Sequence, residues 1–188
     1  MSRFLQALVA SVPATVLLAL AACSPTFNWR DVRPEDTRLG LLFPCKPDKA
    51  EKKVAIGGQP TNLRLLSCDA GDVTFAVTVA ELGAASKAAM ALEQWQNATL
   101  LNMRATPVAP SGDKNADATQ LTAFKLPGAA LLPAAVMVKA RGRRADGTAV
   151  SGQALYFAQD SQVFQAVIYA DKIPPEVAET FFASLKFE

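Results

Sequence analysis

The sequence predicts an α+β domain: an antiparallel sheet of about six to eight strands with two main helices packed on it. Short apolar runs alternate with polar residues in a period of two and are separated by turn signals, whereas two segments have a helical period. The predicted order is four strands, a helix, four strands, a helix, without the strand–helix alternation of a doubly wound sheet. A chain of 188 residues that is 51% hydrophobic fits a single domain with one core.

Four strands are predicted before the first helix, at residues 39–43, 53–56, 61–68 and 73–82. The Gly57-Gly58 pair between the second and third of these is a hairpin signal. The fourth has the cleanest alternation, since Val73, Phe75 and Val77 are separated by smaller or polar residues.

The first helix is predicted over residues 86–103, with Ser86 as a plausible N-cap. Its apolar stripe contains Ala88, Ala91, Leu92, Trp95 and Ala98. Trp95 is interpreted as a core anchor against the sheet rather than as a ligand platform. The stretch 106–118 has the composition of a loop.

The second group of strands is predicted at residues 120–126, 135–143, 149–159 and 162–170, with turns at Pro127-Gly128, Asp146-Gly147 and Asp160-Ser161. Alternation in this group is typical of antiparallel strands with one solvated face. Pro174-Pro175 then opens the final helix, whose apolar stripe includes Phe181 and Phe182.

The N-terminal segment has the marks of a secretory signal: a basic start at Arg3, an apolar run, and small residues before a cysteine. Its end, Leu20-Ala21-Ala22-Cys23, resembles the lipobox of bacterial lipoproteins. The resemblance implies cleavage before Cys23 and lipid on that cysteine, so residues 1–22 are expected to be a signal peptide. The alternatives are an uncleaved transmembrane anchor, which polar residues dilute, and an ordinary signal peptide followed by a free cysteine.

The resemblance also indicates where the protein is held. Ser24 follows the cysteine, whereas an Asp there retains enterobacterial lipoproteins at the inner membrane, so the outer membrane is favoured, with the domain facing the periplasm. Residues 23–37 are interpreted as a lipidated cysteine and flexible tether, and residues 38–188 as the domain. Phe27 and Trp29 in this tether are expected to pack on the domain or to contact the membrane or a partner.

With Cys23 lipidated, Cys45 and Cys68 remain as an even pair, and an oxidising compartment makes a disulfide the default. Each ends an apolar run, so they are predicted to lie on adjacent strands. In the chain-entropy model, closing such a loop contributes roughly 3 kcal/mol. A redox or metal pair is the alternative, but there is no Cys-x-x-Cys.

The chain contains no histidine, which excludes Ser-His-Asp and Cys-His nucleophile systems, His-ligated zinc and imidazole acid–base chemistry. Its net charge of +2 gives no electrostatic reason to expect a nucleic-acid partner. Asp113, Asn115 and Asp117 have the spacing of a calcium loop, but Ala118 and Phe124 occupy the positions that require Gly and Glu. No metal, cofactor or catalytic residue is therefore predicted.

Basic residues crowd one predicted hairpin tip, at Arg141, Arg143 and Arg144, with Lys139 on the same face. Such a cluster can contact anionic lipid headgroups or a partner. The alternative is a charged turn that keeps a sheet edge soluble.

The layout also resembles a known group of folds. An early Phe43-Pro44-Cys45-Lys46-Pro47, hairpins around a central helix, and a C-terminal Phe-Phe-x-Ser-Leu-x-Phe over residues 181–187 are similar to PsbP-type domains, a broad group that includes exported lipoproteins of the DcrB sort. The similarity covers residues 38–188. It implies an accessory module without catalytic activity, and no functional residue of the family is carried across.

Three functions are carried forward. The first is a membrane-anchored envelope lipoprotein that binds a protein or polymer partner without catalysis. The second is a small-ligand carrier with a cavity between the sheet and the helices near Trp95 and Phe181. The third is a histidine-free enzyme, for which the sequence offers no activated nucleophile.

Overall fold

A computed structural model describes residues 26–56, 58–105 and 119–188 of the chain. It is an α+β structure with two sheets and two α-helices, as the sequence predicts. The strands are β1 (Arg30–Val32), β2 (Leu39–Phe43), β3 (Asp48–Ile56), β4 (Gln59–Ala70), β5 (Val73–Glu81), β6 (Gln120–Ala123), β7 (Val136–Arg143), β8 (Ala149–Gln159), β9 (Gln162–Ala170) and β10 (Lys186–Phe187). The helices are α1 (Ala88–Asn102), preceded by a 3-10 turn at Ala85–Lys87, and α2 (Pro175–Ala183).

Seven strands form the main sheet in the order β3-β4-β5-β9-β8-β7-β6, with every pair antiparallel. Its central seam joins β5 to β9, with Thr74 opposite Tyr169 and Glu81 opposite Gln162. A second sheet of three short strands has the order β1-β2-β10. Neither β1 nor β10 was predicted from the sequence.

The two faces of the main sheet carry separate apolar layers. On the α2 face, Phe75 and Phe164 pack with α2 and β2 in the larger core cluster. On the α1 face, Ala76 and Val163 pack with α1 in the second cluster. The molecule therefore has three layers, with α1 and α2 on opposite faces of the sheet.

Both faces of the middle strands are covered, so the expectation of one solvated face is wrong for β8 and β9. Every residue from Ala154 to Gln159 and from Val163 to Ile168 is buried. A sheet covered on both sides produces near-continuous burial, and the small side chains of Ala154 and Ala158 allow α1 to pack closely.

The disulfide between Cys45 and Cys68 is confirmed, with a Cα–Cα distance of 6.2 Å. The prediction that its cysteines lie on adjacent strands is wrong. Cys45 follows β2 of the small sheet, whereas Cys68 lies in β4 of the main sheet. The disulfide therefore fastens the two sheets together across the core on the α2 face.

The folded domain begins earlier than the predicted residue 38. β1 pairs with β2, with Arg30 opposite Phe43, and the Asn28 backbone N–H donates to the Pro44 carbonyl at 2.7 Å. At least residues 27–32 of the predicted tether belong to the fold. Cys23 and the predicted signal peptide lie outside the described residues.

Two details of α1 differ from the prediction. Ser86 is not its N-cap, since the helix begins at Ala88 after the 3-10 turn and Lys87 occupies the cap position without a side-chain hydrogen bond. Ala98 is exposed, whereas Gln96 is buried because its amide donates to the Ala134 carbonyl at 2.8 Å. Neither helix in the described part of the chain is long and apolar enough to cross a membrane.

Candidate functional site

One end of the main sheet gathers most of the polar groups singled out by the sequence. We call it the hairpin end; it consists of the β4–β5 turn, the β7–β8 turn and the loop from β9 to α2. The strand register places these segments together, because Thr74 lies opposite Tyr169, Ser151 opposite Ala170, and Arg143 opposite Ala149.

The β7–β8 turn is shaped by its own sequence. Gly147 has a φ of 87°, a conformation that glycine adopts without strain. The Asp146 carboxylate accepts hydrogen bonds from the backbone N–H of Thr148 at 2.9 Å and from its hydroxyl at 2.7 Å. The backbone N–H of Thr148, followed by its hydroxyl, lowers the pKa of Asp146. The turn thus holds the flanking arginines in place.

The predicted basic residues are all exposed, but they divide between two surfaces. Arg143 and Arg144 lie at the turn and line a cleft beside α1, whereas Lys139 and Arg141 line a groove on the other face of the sheet. Arg144 Nη1 lies 2.9 Å from Asp171 Oδ1, and Arg143 Nη1 donates to the Gly147 carbonyl at 3.0 Å. Asp171 and Lys172 join the cluster from the end of β9. Sequence reasoning missed these two residues, because only the β8–β9 register brings them here.

An open groove runs along the α2 face between α2 and strands β6 to β8. It comprises two adjoining depressions, of about 620 and 570 Å³, which share Lys139, Gln153 and Ile173. Arg141 and Lys172 line the polar half, whereas the apolar half is lined by Phe124, Met137, Ala178 and Phe182. We call this surface the α2 groove; its two halves suit a partner with both charged and apolar groups.

A second cleft lies on the other face of the sheet, beside α1. It has a volume of about 450 Å³ and is lined by Thr74, Trp95, Thr99, Asn102, Met103, Arg143, Arg144, Val150, Gln165 and Tyr169. We call it the Trp95 cleft. Trp95 is half-buried, with its ring centroid 6.3 Å from that of Tyr156, so it packs on the sheet and also borders the cleft.

A buried polar network forms one wall of the Trp95 cleft. Gln165 Nε2 donates to Tyr156 Oη at 2.8 Å and to Thr99 Oγ1 at 3.0 Å, and the Thr99 hydroxyl donates to the Trp95 carbonyl at 3.0 Å. Burial raises the pKa of both Tyr156 and Tyr169. Tyrosine is already protonated at neutral pH, and the raised pKa keeps both phenols protonated, and able to donate hydrogen bonds, at higher pH than usual.

The end of α1 contacts the sheet closely because two glycines leave room for it. A Cβ on Gly142 would lie 2.1 Å from the Met103 carbonyl oxygen, and one on Gly152 would lie 2.7 Å from Met103 Cε. The Arg143 backbone N–H donates to the same Met103 carbonyl at 2.6 Å. A glycine within a strand indicates such a close approach. Gly142, within the strand predicted at residues 135–143, is the sequence signal that could have predicted this contact.

Two sequence expectations are corrected here. A single cavity near both Trp95 and Phe181 is wrong, because these side chains lie on opposite faces of the sheet and Phe181 is fully buried. For Trp29, the packing alternative holds: its ring centroid lies 6.1 Å from those of Phe27 and Phe75, and the residue is half-buried. The calcium-like spacing in residues 113–117 lies outside the described residues.

The groups that converge at the hairpin end are guanidinium, ammonium, amide and hydroxyl groups beside aromatic faces, together with the carboxylates of Asp72, Asp146 and Asp171. The groups of the first kind are the more numerous. These are groups that bind anions and planar or apolar surfaces. Within the described ranges, no three or more Cys, Asp or Glu residues are grouped so that they could hold a metal ion.

The fold and the site define a structural class. The protein is a three-layer α+β protein in which one end of the main sheet carries basic side chains and borders open clefts. No protein-family model matches the chain, and no curated protein matches it. The side chains of the hairpin end, the α2 groove and the Trp95 cleft are therefore the basis for assigning a function.

Proposed function

We propose that this protein is an envelope lipoprotein held by lipid on Cys23, facing the periplasm from the outer membrane, and that its domain is a binding module without catalytic activity. The lipobox-like Leu20-Ala21-Ala22-Cys23 supports the anchor. The disulfide between Cys45 and Cys68 supports export, because structural disulfides form and persist in oxidising compartments.

One observation carries the binding role: the α2 groove joins a basic half to an apolar half through Lys139, Gln153 and Ile173. A mixed surface of this kind suits recognition of a protein or polymer segment that carries acidic and apolar groups. The Ser151 hydroxyl in the groove donates to the backbone carbonyl of Asp171 at 3.0 Å, rather than to the base that nucleophilic catalysis needs.

The anchor is tested by expressing the full chain and its Cys23→Ala variant in an enterobacterial host. We expect the N-terminal peptide of the mature wild-type protein to begin at Cys23 and to carry acyl chains by mass spectrometry. The variant should lose both the acyl mass and the membrane fractionation. A wild-type protein that keeps residues 1–22, or whose Cys23 thiol is free, would contradict the proposal.

Outer-membrane placement has its own test. Ser24→Asp should move the acylated protein to the inner-membrane fraction of that host, while leaving acylation intact. Ser24→Ala is the matched control and should not move it. If the wild-type protein already fractionates with the inner membrane, the outer-membrane assignment is wrong.

The partner-binding role is tested with a photo-crosslinking amino acid placed in the living cell at Lys139, in the middle of the α2 groove. The matched control places it at Ala55, an exposed residue near the opposite end of the sheet. We expect Lys139 to yield a reproducible envelope adduct that Ala55 does not. Absence of any adduct at Lys139, or the same adducts from both positions, would count against the groove as the binding surface.

The Trp95 cleft supports a second candidate function, a small-ligand carrier. Two aromatic rings and two arginines border one open cleft, which suits a small anionic ligand with a ring or apolar portion. Native mass spectrometry of protein purified without denaturation should then show a bound molecule that is absent from Arg143→Gln, a variant at an exposed lining residue. If the wild-type protein is detected only at the mass of the protein without ligand, the carrier function is ruled out.

A further inference from the structure

The first described residues of the chain lie at the hairpin end. Thr26 packs on the β4–β5 turn, where its Cγ2 would be 3.0 Å from a Cβ on Gly71. From Phe27 onward the chain is held in place, since Phe27 packs on the core of the α2 face and Asn28 is hydrogen-bonded to Pro44.

Very little chain separates this point from Cys23. Only Ser24 and Pro25 lie between Cys23 and Thr26, and three residue steps span at most about 11 Å. If Cys23 carries lipid, as proposed above, the domain cannot stand clear of the bilayer on a long tether. The hairpin end is then held within about 11 Å of the anchored residue.

The same end carries a concentrated positive charge. We call Arg104, Arg141, Arg143, Arg144 and Lys172 the basic corner; all five are exposed. Arg104 belongs to it because the preceding residue, Met103, is bonded to the backbone N–H of Arg143.

Two carboxylates belong to the same corner. Asp146 accepts from Thr148 and Asp171 is paired with Arg144, and the five cations exceed these two carboxylates by three. Asp72, on the β4–β5 turn, lines one depression together with Arg144, Asp171 and Lys172.

The basic corner also lies close to the anchor point. Strand β9 alone separates the β4–β5 hairpin from the β7–β8 hairpin, so the two turns are about 14 Å apart at the spacing of neighbouring strands. A membrane surface brought to Thr26 by the anchor is therefore within reach of the basic corner.

We infer that the basic corner docks on the headgroups of anionic phospholipids and sets the orientation of the domain on the membrane. This inference rests on the proposed anchor at Cys23. Guanidinium groups suit phosphate oxygens because they can donate two parallel hydrogen bonds. Docking in this orientation places Arg141 and Lys172, and with them the polar half of the α2 groove, at the headgroups. The apolar half of the groove stays open to a partner, and the opposite end of the sheet, with the β8–β9 turn, faces away from the bilayer.

The test uses the full acylated protein reconstituted in phosphatidylcholine vesicles with and without phosphatidylglycerol. Ala145→Cys, in the β7–β8 turn, carries an environment-sensitive nitrobenzoxadiazole label, and Ala55→Cys near the opposite end carries the same label as a control. Because Cys23 is acylated and Cys45 is bonded to Cys68, the introduced cysteine is the one free thiol. We expect a blue-shifted, brighter emission from position 145 when phosphatidylglycerol is present, and no change from position 55.

Charge variants decide whether the basic corner is responsible. Replacing Arg104, Arg141 and Lys172 together by Gln should lower the docking equilibrium by up to about a hundredfold and abolish the shift. The matched control replaces Lys53, Lys87 and Lys125 by Gln, which removes the same charge near the opposite end and should leave the shift intact. Raising the salt concentration should weaken docking in the wild-type protein. Equal thermal midpoints show that each variant is folded.

The outcomes separate this inference from the proposed anchor. An N-terminal peptide without acyl chains would refute the anchor itself. Three results with acylated protein would overturn the docking while leaving the anchor in place. They are no emission shift at position 145, an equal shift on vesicles of phosphatidylcholine alone, and a control variant that loses the shift as fully as the basic-corner variant does.

Discussion

Gly142→Ala should destabilise the protein strongly, because the new methyl group meets backbone rather than a flexible side chain. Its Cβ would lie 2.1 Å from the Met103 carbonyl oxygen, 3.0 Å from the carbonyl carbon and 3.2 Å from Met103 Cβ. Relieving this overlap requires the end of α1 to withdraw by roughly an ångström, which strains the hydrogen bond from the Arg143 N–H to Met103. Overpacking costs about 1–3 kcal/mol and the hydrogen bond about 1 kcal/mol, so we expect a loss of about 2–4 kcal/mol.

The assay is equilibrium unfolding in urea, supported by thermal unfolding, in which each kcal/mol lowers the midpoint by about 2–4 °C for a domain of this size. Gly152→Ala is the matched control. Its Cβ would lie 2.7 Å from Met103 Cε and 3.0 Å from Sδ, atoms at the flexible end of a side chain, and 3.1 Å from Cε1 of the Tyr169 ring, which must shift slightly. This variant should therefore cost less than Gly142→Ala, about 1 kcal/mol.

A Met103→Ala background separates the two mechanisms. There, Gly142→Ala should keep its full cost, because the backbone carbonyl is still present. Gly152→Ala should lose the part of its cost that comes from Met103 and keep only the part that comes from the Tyr169 ring. Gly142→Ala with wild-type stability would refute this account of how α1 packs on the sheet. If Gly142→Ala no longer destabilised the protein in the Met103→Ala background, that result would refute the account as well.

Three further predictions concern other parts of the fold. Replacing Cys45 and Cys68 by Ser should lower the free energy of unfolding by about 3 kcal/mol, since the disulfide spans 23 positions; an unchanged urea midpoint after reduction of the wild-type protein would contradict this. Tyr156 and Tyr169 are the two tyrosines of the chain, and burial raises the pKa of both, so stability should be complete below about pH 10 and fall above it as the unfolded chain ionises first. Phenolate absorbance should then appear together with unfolding, and ionisation near pH 10 in protein with a native circular dichroism spectrum would count against it. Trp29→Ala should cost about 2 kcal/mol in urea unfolding through lost packing on the core, with Trp29→Phe closer to wild type; equal stability of all three proteins would mean that the ring adds little to the core.

The parts of the fold that were predictable are those with strong local signals. β5, β8, β9 and α2 were predicted nearly to their bounds, because period-two or helical patterns end at Gly, Asp or Pro turn signals. β1 and β10 have three and two residues, too few for any period, and they exist only because β2 lies between them.

The side of the sheet that each helix covers was not predictable. In β5, both Phe75 and Ala76 face apolar layers, and alternation between large and small apolar residues resembles alternation between buried and solvated ones. The arginines of the site were recognised because they are adjacent in sequence. Lys172, Asp171 and Tyr169 join them through pairing between β8 and β9, a long-range arrangement with no local sequence signal.

The position of β9 constrains how the chain can assemble as it is made. β9 is the last strand of the main sheet to be synthesised, yet it lies between β5 and β8 and joins the β3–β5 meander to the β6–β8 meander. Until residues 162–170 emerge, β5 has an open, apolar edge that can pair with other chains. Closing the seam between residues 74–81 and 162–169 requires contacts far apart in sequence, which are slow to form. We therefore expect a chain truncated before β9 to lack the strand that joins the two meanders and to aggregate more readily than the full chain.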